Sequence, residues 1–301
     1  MDQRQKQRAE YKTWGKAYYH LCTDGKTSTI CHDEGEYVYL VNTISLIDLL
    51  FPIKVHAYEV MRSHVHLLLS GRGEDCVAVF DYLKKRVNTR LREDGHQTLP
   101  PSYGFKLIPV KDEEQMRDNF VYIARNASQV LNIRPGCYIF GSAFSFYSGV
   151  THLAGSIRAG DCPVRDMSRL FRTHAPIPPD RRILPGLKMA LPQGFVDMSV
   201  LYKVFPTAKE YEIRLVKDYE AYVEVAGQLG EEVAFSLEEA RDIVDMELVK
   251  SGRSLSDLSR EDRCQLAVQL AKRFRLNALT LSQVLFIPVR IVSQMLRSKQ
   301  R

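Results

Sequence analysis

The chain has 301 residues, of which 45% are hydrophobic and 26% charged. This is an ordinary globular composition, and the length is sufficient for two domains of common size. The six cysteines include no Cys-x-x-Cys pair, so neither a disulfide framework nor a structural zinc site is indicated. The N-terminus has no secretory apolar core, and no stretch resembles a membrane span, so we expect a cytoplasmic protein without a membrane partner.

Basic residues are concentrated in two regions of a chain whose net charge is +6. From Arg263 to Arg301 there are eight Lys or Arg and no Asp or Glu, and a second basic cluster covers residues 83–92. Such clusters are usually solvated faces, but an acid-free tail of this length favours a polyanion, most simply nucleic acid. We therefore expect association with the nucleoid. The basic residues expected to contact DNA are Lys84, Lys85, Arg86, Arg90, Arg92, Arg290 and Arg297.

Strand and helix patterns alternate along the first 150 residues. Alternating apolar residues predict strands over residues 16–24, 53–61, 64–70 and 105–110. Helical spacing of apolar residues predicts helices over residues 34–50, 74–93 and 112–131. The first six elements follow the split βαβ order, so we predict an α+β domain over residues 1–150. It would contain a ferredoxin-like antiparallel sheet with helices on one face.

Proline is frequent in residues 151–206, which we interpret as a connecting segment with short elements. Residues 207–301 are predicted to form an all-α region. Within it, Ser236 and Glu239 form a capping box that starts a helix over residues 236–250.

The end of the chain carries a helix-turn-helix pattern over residues 259–299. A supporting helix over residues 259–276 is followed by a second capping box, formed by Thr280 and Gln283, and by a last helix that begins at Pro288. In that motif the last helix is presented to the major groove of duplex DNA. The turn lacks the glycine that is often found there, and an ordinary three-helix bundle is the alternative.

The segment "MRSHVHLLLSG" places His64 and His66 on either side of one valine in an apolar strand. Alternate strand residues share a face, so the two imidazoles could chelate one metal ion. Core packing is the other interpretation, although two buried, unsatisfied imidazoles would be costly. On the helix over residues 112–131, Tyr122 and Asn126 are four residues apart and share one face. They could supply a phenol and an amide ligand, or simply pack as part of an amphipathic helix.

Three segments in this order resemble the HUH single-tyrosine transposases, in which HUH denotes His-hydrophobic-His. The segments are "YEVMRSHVHLLLSG", "NFVYIARNASQV" and "CYIFGSAFSFYSG", and the resemblance covers roughly residues 11–150. It is strongest to the REP-associated tyrosine transposases, whose strand commonly reads like "MPNHVHLLL". This resemblance implies that His64, His66 and Asn126 hold a divalent metal, Mg²⁺ or Mn²⁺. It also implies that Tyr122 is the nucleophile.

The activity implied by the resemblance is transposition through cleavage and joining of single-stranded DNA that carries hairpins. Attack by Tyr122 would leave a 5′-phosphotyrosine and a free 3′-hydroxyl. Relatives act as monomers or as homodimers, and both oligomeric states stay open here.

The surrounding frame departs from the family, because "MRS" replaces "MPN" and Ala127 replaces a proline. A domesticated DNA-binding protein or regulator with little catalysis is therefore one alternative function. A metal hydrolase in which His64 and His66 activate water is another.

Overall fold

A computed structural model describes residues 3–25, 28–131, 133–147 and 155–298. The chain divides into two compact units, Met1–Leu215 and Val216–Arg301. The predicted domain boundary at residue 150 lies outside the described residues, and the one at residue 206 falls within the first unit.

A four-stranded antiparallel sheet forms the centre of the first unit. Its strands are β1 (Lys16–Thr23), β2 (Lys54–Val60), β3 (Val65–Arg72) and β4 (Phe105–Val110), in the order β2-β3-β1-β4. All four coincide closely with the strands predicted from alternation. The chain is thus a mixed α+β protein, and its apolar strand β3 occupies an interior position in the sheet.

Six α-helices accompany this sheet in the described residues up to position 147. They are α1 (Gln3–Tyr11), α2 (Glu34–Ile44), α3 (Ile47–Leu50), α4 (Gly73–Glu93), α5 (Glu113–Arg125) and α6 (Ser128–Leu131). The single helix predicted over residues 34–50 is therefore interrupted between α2 and α3. The buried Arg181 guanidinium donates a hydrogen bond to the Ser45 carbonyl at this break. A contact from so distant a residue has no local sequence signal.

Helices cover both faces of the sheet, which corrects the prediction of helices on one face. Val65 of β3 lines a small cavity together with Leu40 of α2 and Leu83 of α4. The next residue, His66, points to the opposite face and meets Asn126 at the end of α5. Strand β3 is consequently buried on both sides, which explains why its sequence is almost continuously apolar.

Residues 155–206 form more structure than a simple connection. Strands β5 (Ile157–Arg158), β6 (Arg182–Leu184) and β7 (Met189–Ala190) make a second antiparallel sheet. The same stretch of chain contains helices α7 (Val164–Phe171) and α8 (Ser199–Val204). This sheet is attached to α2 through the Asn42 amide. Asn42 donates to the Lys188 carbonyl at 2.9 Å and accepts from the Ala190 N–H at 2.8 Å.

The second unit is helical, following α9 (Ala208–Lys217), which crosses the boundary between the units. Its helices are α10 (Tyr219–Leu229), α11 (Leu237–Lys250), α12 (Arg260–Phe274), α13 (Ala278–Leu285) and α14 (Val289–Ser298). The capping box of Ser236 and Glu239 is present at the start of α11, as predicted. The predicted start of α13 at Thr280 is wrong, because the side chain of Asn277 caps that helix and accepts from the Thr280 N–H at 2.9 Å.

The turn between α13 and α14 contains Phe286, whose φ angle is +55°. This left-handed conformation normally favours glycine, which the sequence lacks at this turn. The Phe286 side chain is 73% exposed. Among the described residues, no helix combines the length and apolar character needed to cross a membrane.

Candidate active site

The two histidines singled out from the sequence lie at the beginning of β3. His66 is fully buried, while His64 immediately precedes the strand and is half-buried. Their ring centroids are 4.8 Å apart. The backbone of β3 pairs His66 with Cys22 of β1 and with Glu59 of β2, which places His66 inside the sheet.

Helix α5 brings the other two candidate residues to His66. Its N-terminus is fixed by the Asp112 carboxylate, which accepts from the Gln115 N–H at 2.8 Å. The Tyr122 ring lies 5.5 Å from the ring of His66, centroid to centroid. Asn126, the C-cap of α5, places its side-chain nitrogen 2.7 Å from His66 Nε2. His66 is therefore the common neighbour of His64, Tyr122 and Asn126.

A third histidine, which the sequence analysis did not single out, supports His66 from β1. The Nε2 atom of His20 lies 3.0 Å from His66 Nδ1, and its Nδ1 atom lies 2.6 Å from Asn119 Oδ1 on α5. His20 is buried and lies 5.8 Å from Tyr122, ring to ring. The only available sequence signal was that His20 and Cys22 share one face of β1.

The contacts of Asn119 determine which nitrogen of His66 carries a lone pair. Asn119 donates its amide nitrogen to the Gln115 carbonyl at 2.6 Å, so its oxygen faces His20. With both rings neutral, His20 Nδ1 must then donate to Asn119, and His20 Nε2 must accept from His66 Nδ1. The lone pair of His66 is thereby directed through Nε2 towards Asn126. Such outer hydrogen bonds orient metal-binding imidazoles.

Glu59 of β2 is a further buried group next to this cluster. Its carboxylate accepts a hydrogen bond from the Ala127 N–H, just after the end of α5. Burial raises the pKa of Glu59 well above its ordinary value of 4.5, and the Ala127 hydrogen bond offsets only part of this effect. Glu59 therefore keeps its proton to a higher pH than an exposed glutamate does, and its hydrogen bond ties the end of α5 to the sheet.

Two imidazoles and an amide could hold the Mg²⁺ or Mn²⁺ that the resemblance implies, with waters completing the shell, and these imidazoles would also take Zn²⁺ or Ni²⁺. Two ligands that share an octahedral ion with bonds near 2.1 Å lie about 3.0 Å apart. The 2.7 Å separation of Asn126 from His66 Nε2 is close to this value. A half-turn of the Asn126 amide would present its oxygen, because the two ends of an amide differ little in shape. The Asn126 oxygen and His66 Nε2 would then lie at the spacing of two ligands of one ion, and the His64 ring lies 4.8 Å from the ring of His66, centroid to centroid.

The basic residues of α4 differ in their surroundings. Lys84 donates to the carbonyls of Pro101 and Tyr103, at 3.1 and 2.7 Å. Arg86 donates at 2.9 Å to the carbonyls of both Phe171 and Arg172. These two side chains fasten α4 to neighbouring segments.

Among the other predicted DNA contacts, Arg90 is half-buried, as Lys84 and Arg86 are, whereas the rest are exposed. Arg90 forms an ion pair with Asp94 at 2.6 Å. Lys85 and Arg92 are exposed on α4, and Arg290 and Arg297 are exposed on α14. The last two residues are seven positions apart, which puts them on one side of the helix.

Comparison with known proteins gave one structural likeness. Neither a family model nor a curated protein matches the chain. A solved structure, described as the REP-associated tyrosine transposase bound to a REP hairpin, aligns with 42% of this chain and 76% of its own. The sequence identity is 17% and the TM-score 0.34. A likeness of this size is too small to assign a fold or an activity.

Proposed function

We propose that the first unit cleaves and rejoins single-stranded DNA, with Tyr122 as the nucleophile. The observation that carries this proposal is the convergence on His66. Tyr122 and Asn126 approach it from α5, and His64 approaches it from the start of β3. The sequence resemblance implies these same four residues, which come from two segments that are about 60 positions apart along the chain.

We infer a ferredoxin-like arrangement for residues 16–110, supported by the strand order β2-β3-β1-β4 with α2 and α4 on one face. In such a sheet, β3 and β1 occupy the centre. His66 of β3 lies between His20 of β1 and Asn126, and His20 lies between His66 and Asn119. Hydrogen bonds on both sides of each ring hold its orientation, as a preorganised site requires.

His64, His66 and Asn126 would hold Mg²⁺ or Mn²⁺ at this site. When bound, the ion would orient a scissile phosphate and offset the negative charge that grows on its oxygens. The protein contributes the orientation of His66, which His20 and Asn119 maintain.

The proposed reaction transfers a phosphoryl group from DNA to the enzyme. The Tyr122 oxygen forms a bond to phosphorus, and the bond from phosphorus to the 3′-oxygen of the upstream strand breaks. The upstream strand leaves with a 3′-hydroxyl, and the downstream strand stays attached as a 5′-phosphotyrosine. Because the ester bond is retained, a 3′-hydroxyl can later reverse the step and join strands. Tyr122 is buried, so its hydroxyl must become accessible before DNA can reach it.

Formation of a covalent adduct tests this proposal. The full chain is incubated with labelled, hairpin-bearing single strands and Mn²⁺, and the products are separated under denaturing conditions. We expect a labelled protein band that Tyr122→Phe abolishes and the exposed control Tyr202→Phe retains. Cleavage without any adduct, unaffected by Tyr122→Phe, would instead indicate the hydrolase in which His64 and His66 activate water.

A second candidate function is DNA binding by the second unit without catalysis. The exposed Arg290 and Arg297 on α14, which follows the tight turn after α13, favour it. We infer a helix-turn-helix from α12 to α14, with α14 in the major groove of duplex DNA. Binding of duplex DNA by the full chain, with no cleavage of any single strand, would support this function over the first.

A further inference from the structure

A second group of potential metal ligands lies on the other side of the sheet, where α2 and α4 pack. It consists of His32, Glu36 and His96. One ligand atom from each residue lies within 4.8 Å of the others. We propose that these three residues form a separate site for Zn²⁺ or a similar borderline transition metal.

The Glu36 carboxylate is the centre of this group and is almost completely buried. One oxygen, Oε2, accepts from the His32 backbone N–H and lies 3.1 Å from His32 Nδ1. The other oxygen, Oε1, is buried and has no hydrogen-bond partner among the described residues. A buried carboxylate oxygen without a partner is costly, and a bound cation would satisfy it.

The two imidazoles flank this carboxylate. His96 Nε2 lies 3.7 Å from Glu36 Oε1, beyond hydrogen-bond distance. The rings of His32 and His96 are stacked with centroids 3.8 Å apart and planes inclined by 18°. Ligands that share a tetrahedral zinc with bonds of 2.0–2.2 Å lie about 3.4 Å apart. The separation of 3.1 Å from His32 to Oε2 and that of 3.7 Å from His96 to Oε1 lie on either side of this value. Because an imidazole binds a metal in the plane of its ring, at least one of the two stacked rings must turn out of the stack to share the ion.

Backbone hydrogen bonds at two helix ends fix the positions of Glu36 and His96. At the start of α2, the Asp33 side chain caps the helix and accepts from the Glu36 N–H at 2.9 Å. Just past the end of α4, Gly95 adopts a φ angle of +76°, and the His96 N–H donates to the Leu91 carbonyl at 2.7 Å. This pattern is a Schellman motif, which makes the position of His96 a consequence of how α4 ends.

The types of the three ligands determine which metal the site would prefer. Two imidazoles and one carboxylate, with a fourth position for water, are the ligands found in one class of zinc sites. Nitrogen donors favour zinc and its neighbours over magnesium or calcium. Because the ligands come from the start of α2 and from the residues that follow α4, a bound ion would clamp these two helix ends together.

The test measures how many zinc ions each chain binds after treatment with a chelator. We expect His96→Gln to lower the number of tightly bound Zn²⁺ ions by one relative to the natural sequence. His174→Gln, an exposed histidine outside both sites, should leave the number unchanged. His64→Gln should also retain this ion, which separates the proposed site from the candidate active site.

A second variant distinguishes a loss of zinc binding from a loss of folding. Glu36→Gln keeps an oxygen that can accept from the His32 N–H but removes the charge, so we expect at least a tenfold weaker zinc affinity. Co²⁺ should give visible absorption bands of a tetrahedral site, and His96→Gln should lose those bands. Equal zinc binding by His96→Gln, Glu36→Gln and the natural sequence would overturn the proposal, as would the absence of tight binding in the natural sequence. Neither result depends on whether Tyr122 forms an adduct.

Discussion

The amide nitrogen of Asn126 lies 2.7 Å from Nε2 of His66, although 60 positions of the chain separate the two residues. This contact joins the end of α5 to the interior strand β3. It exists because α5 covers the sheet face opposite α2 and α4. The same packing brings Tyr122 to within 5.5 Å of the His66 ring. The candidate active site is thus a product of tertiary packing between one helix and one strand.

The hydrogen bonds that connect His66 to His20, and His20 to Asn119, predict how the affinity for a metal changes when Asn119 is replaced. Asn119→Leu removes the acceptor that fixes the tautomer of His20, and through it that of His66. We expect this change to weaken Mn²⁺ binding about 10- to 100-fold, the usual effect of losing an outer hydrogen bond. Calorimetric titration of the full chain measures it.

Asn119→Asp is the matched control, because a carboxylate still accepts from His20 Nδ1. We expect it to keep most of the affinity that Asn119→Leu loses. Equal affinities for the leucine variant and the natural sequence would show that Asn119 does not orient the imidazoles.

Glu59 predicts a dependence of stability on pH. Its folded-state pKa is raised by burial, so above about pH 4.5 the native state retains a proton that the unfolded state loses. The free energy of unfolding then falls as the pH rises, by at most about 1.4 kcal/mol per pH unit from this group. Glu59→Gln keeps an oxygen for the Ala127 N–H and cannot ionise. We expect its stability relative to the natural sequence to increase between pH 5 and pH 8.

Urea unfolding in the presence of a chelator at these two pH values checks this prediction. The exposed Glu212→Gln is the control and should show little change in relative stability. A relative stability of Glu59→Gln that is constant with pH would mean that Glu59 ionises normally in the folded chain.

The second unit predicts how binding of duplex DNA responds to salt. If Arg290 and Arg297 contact phosphates, each change to alanine should lower the slope of log affinity against log salt concentration by about 0.9. Binding measured by fluorescence anisotropy at several salt concentrations gives this slope. Arg241→Ala removes an equal charge from the exposed surface of α11 and should leave the slope unchanged. Identical slopes for all three variants would exclude α14 as the DNA-contacting helix.

Sequence patterns located most of the secondary structure because its signals are local. Alternation placed β1 to β4, and the capping box of Ser236 marked the start of α11. The start of α13 was placed late because Asn277 competes as a cap with Thr280, and both are acceptable capping residues. The break after α2 could not be foreseen, because the Arg181 guanidinium that binds the Ser45 carbonyl arrives from 136 positions away.

The candidate site was only partly visible in the sequence for the same reason. His64 and His66 stand out because two histidines occupy one apolar strand. His20 is a lone histidine in β1, and its partner Asn119 is 99 positions distant. Only the pairing of β1 with β3, together with the packing of α5, reveals that these residues form one hydrogen-bonded chain. A single sequence contains no direct signal for such a relationship.

We propose that Tyr122 becomes covalently attached to the 5′ end of the downstream DNA strand. The most direct measurement uses two hairpin-bearing single strands of one sequence, one labelled upstream and the other downstream of the cleaved bond. Proteolysis and mass spectrometry then locate the modified peptide. We expect that only the downstream label stays with the protein and that the adduct maps to Tyr122. Attachment of the upstream label, or modification of another residue, would contradict it.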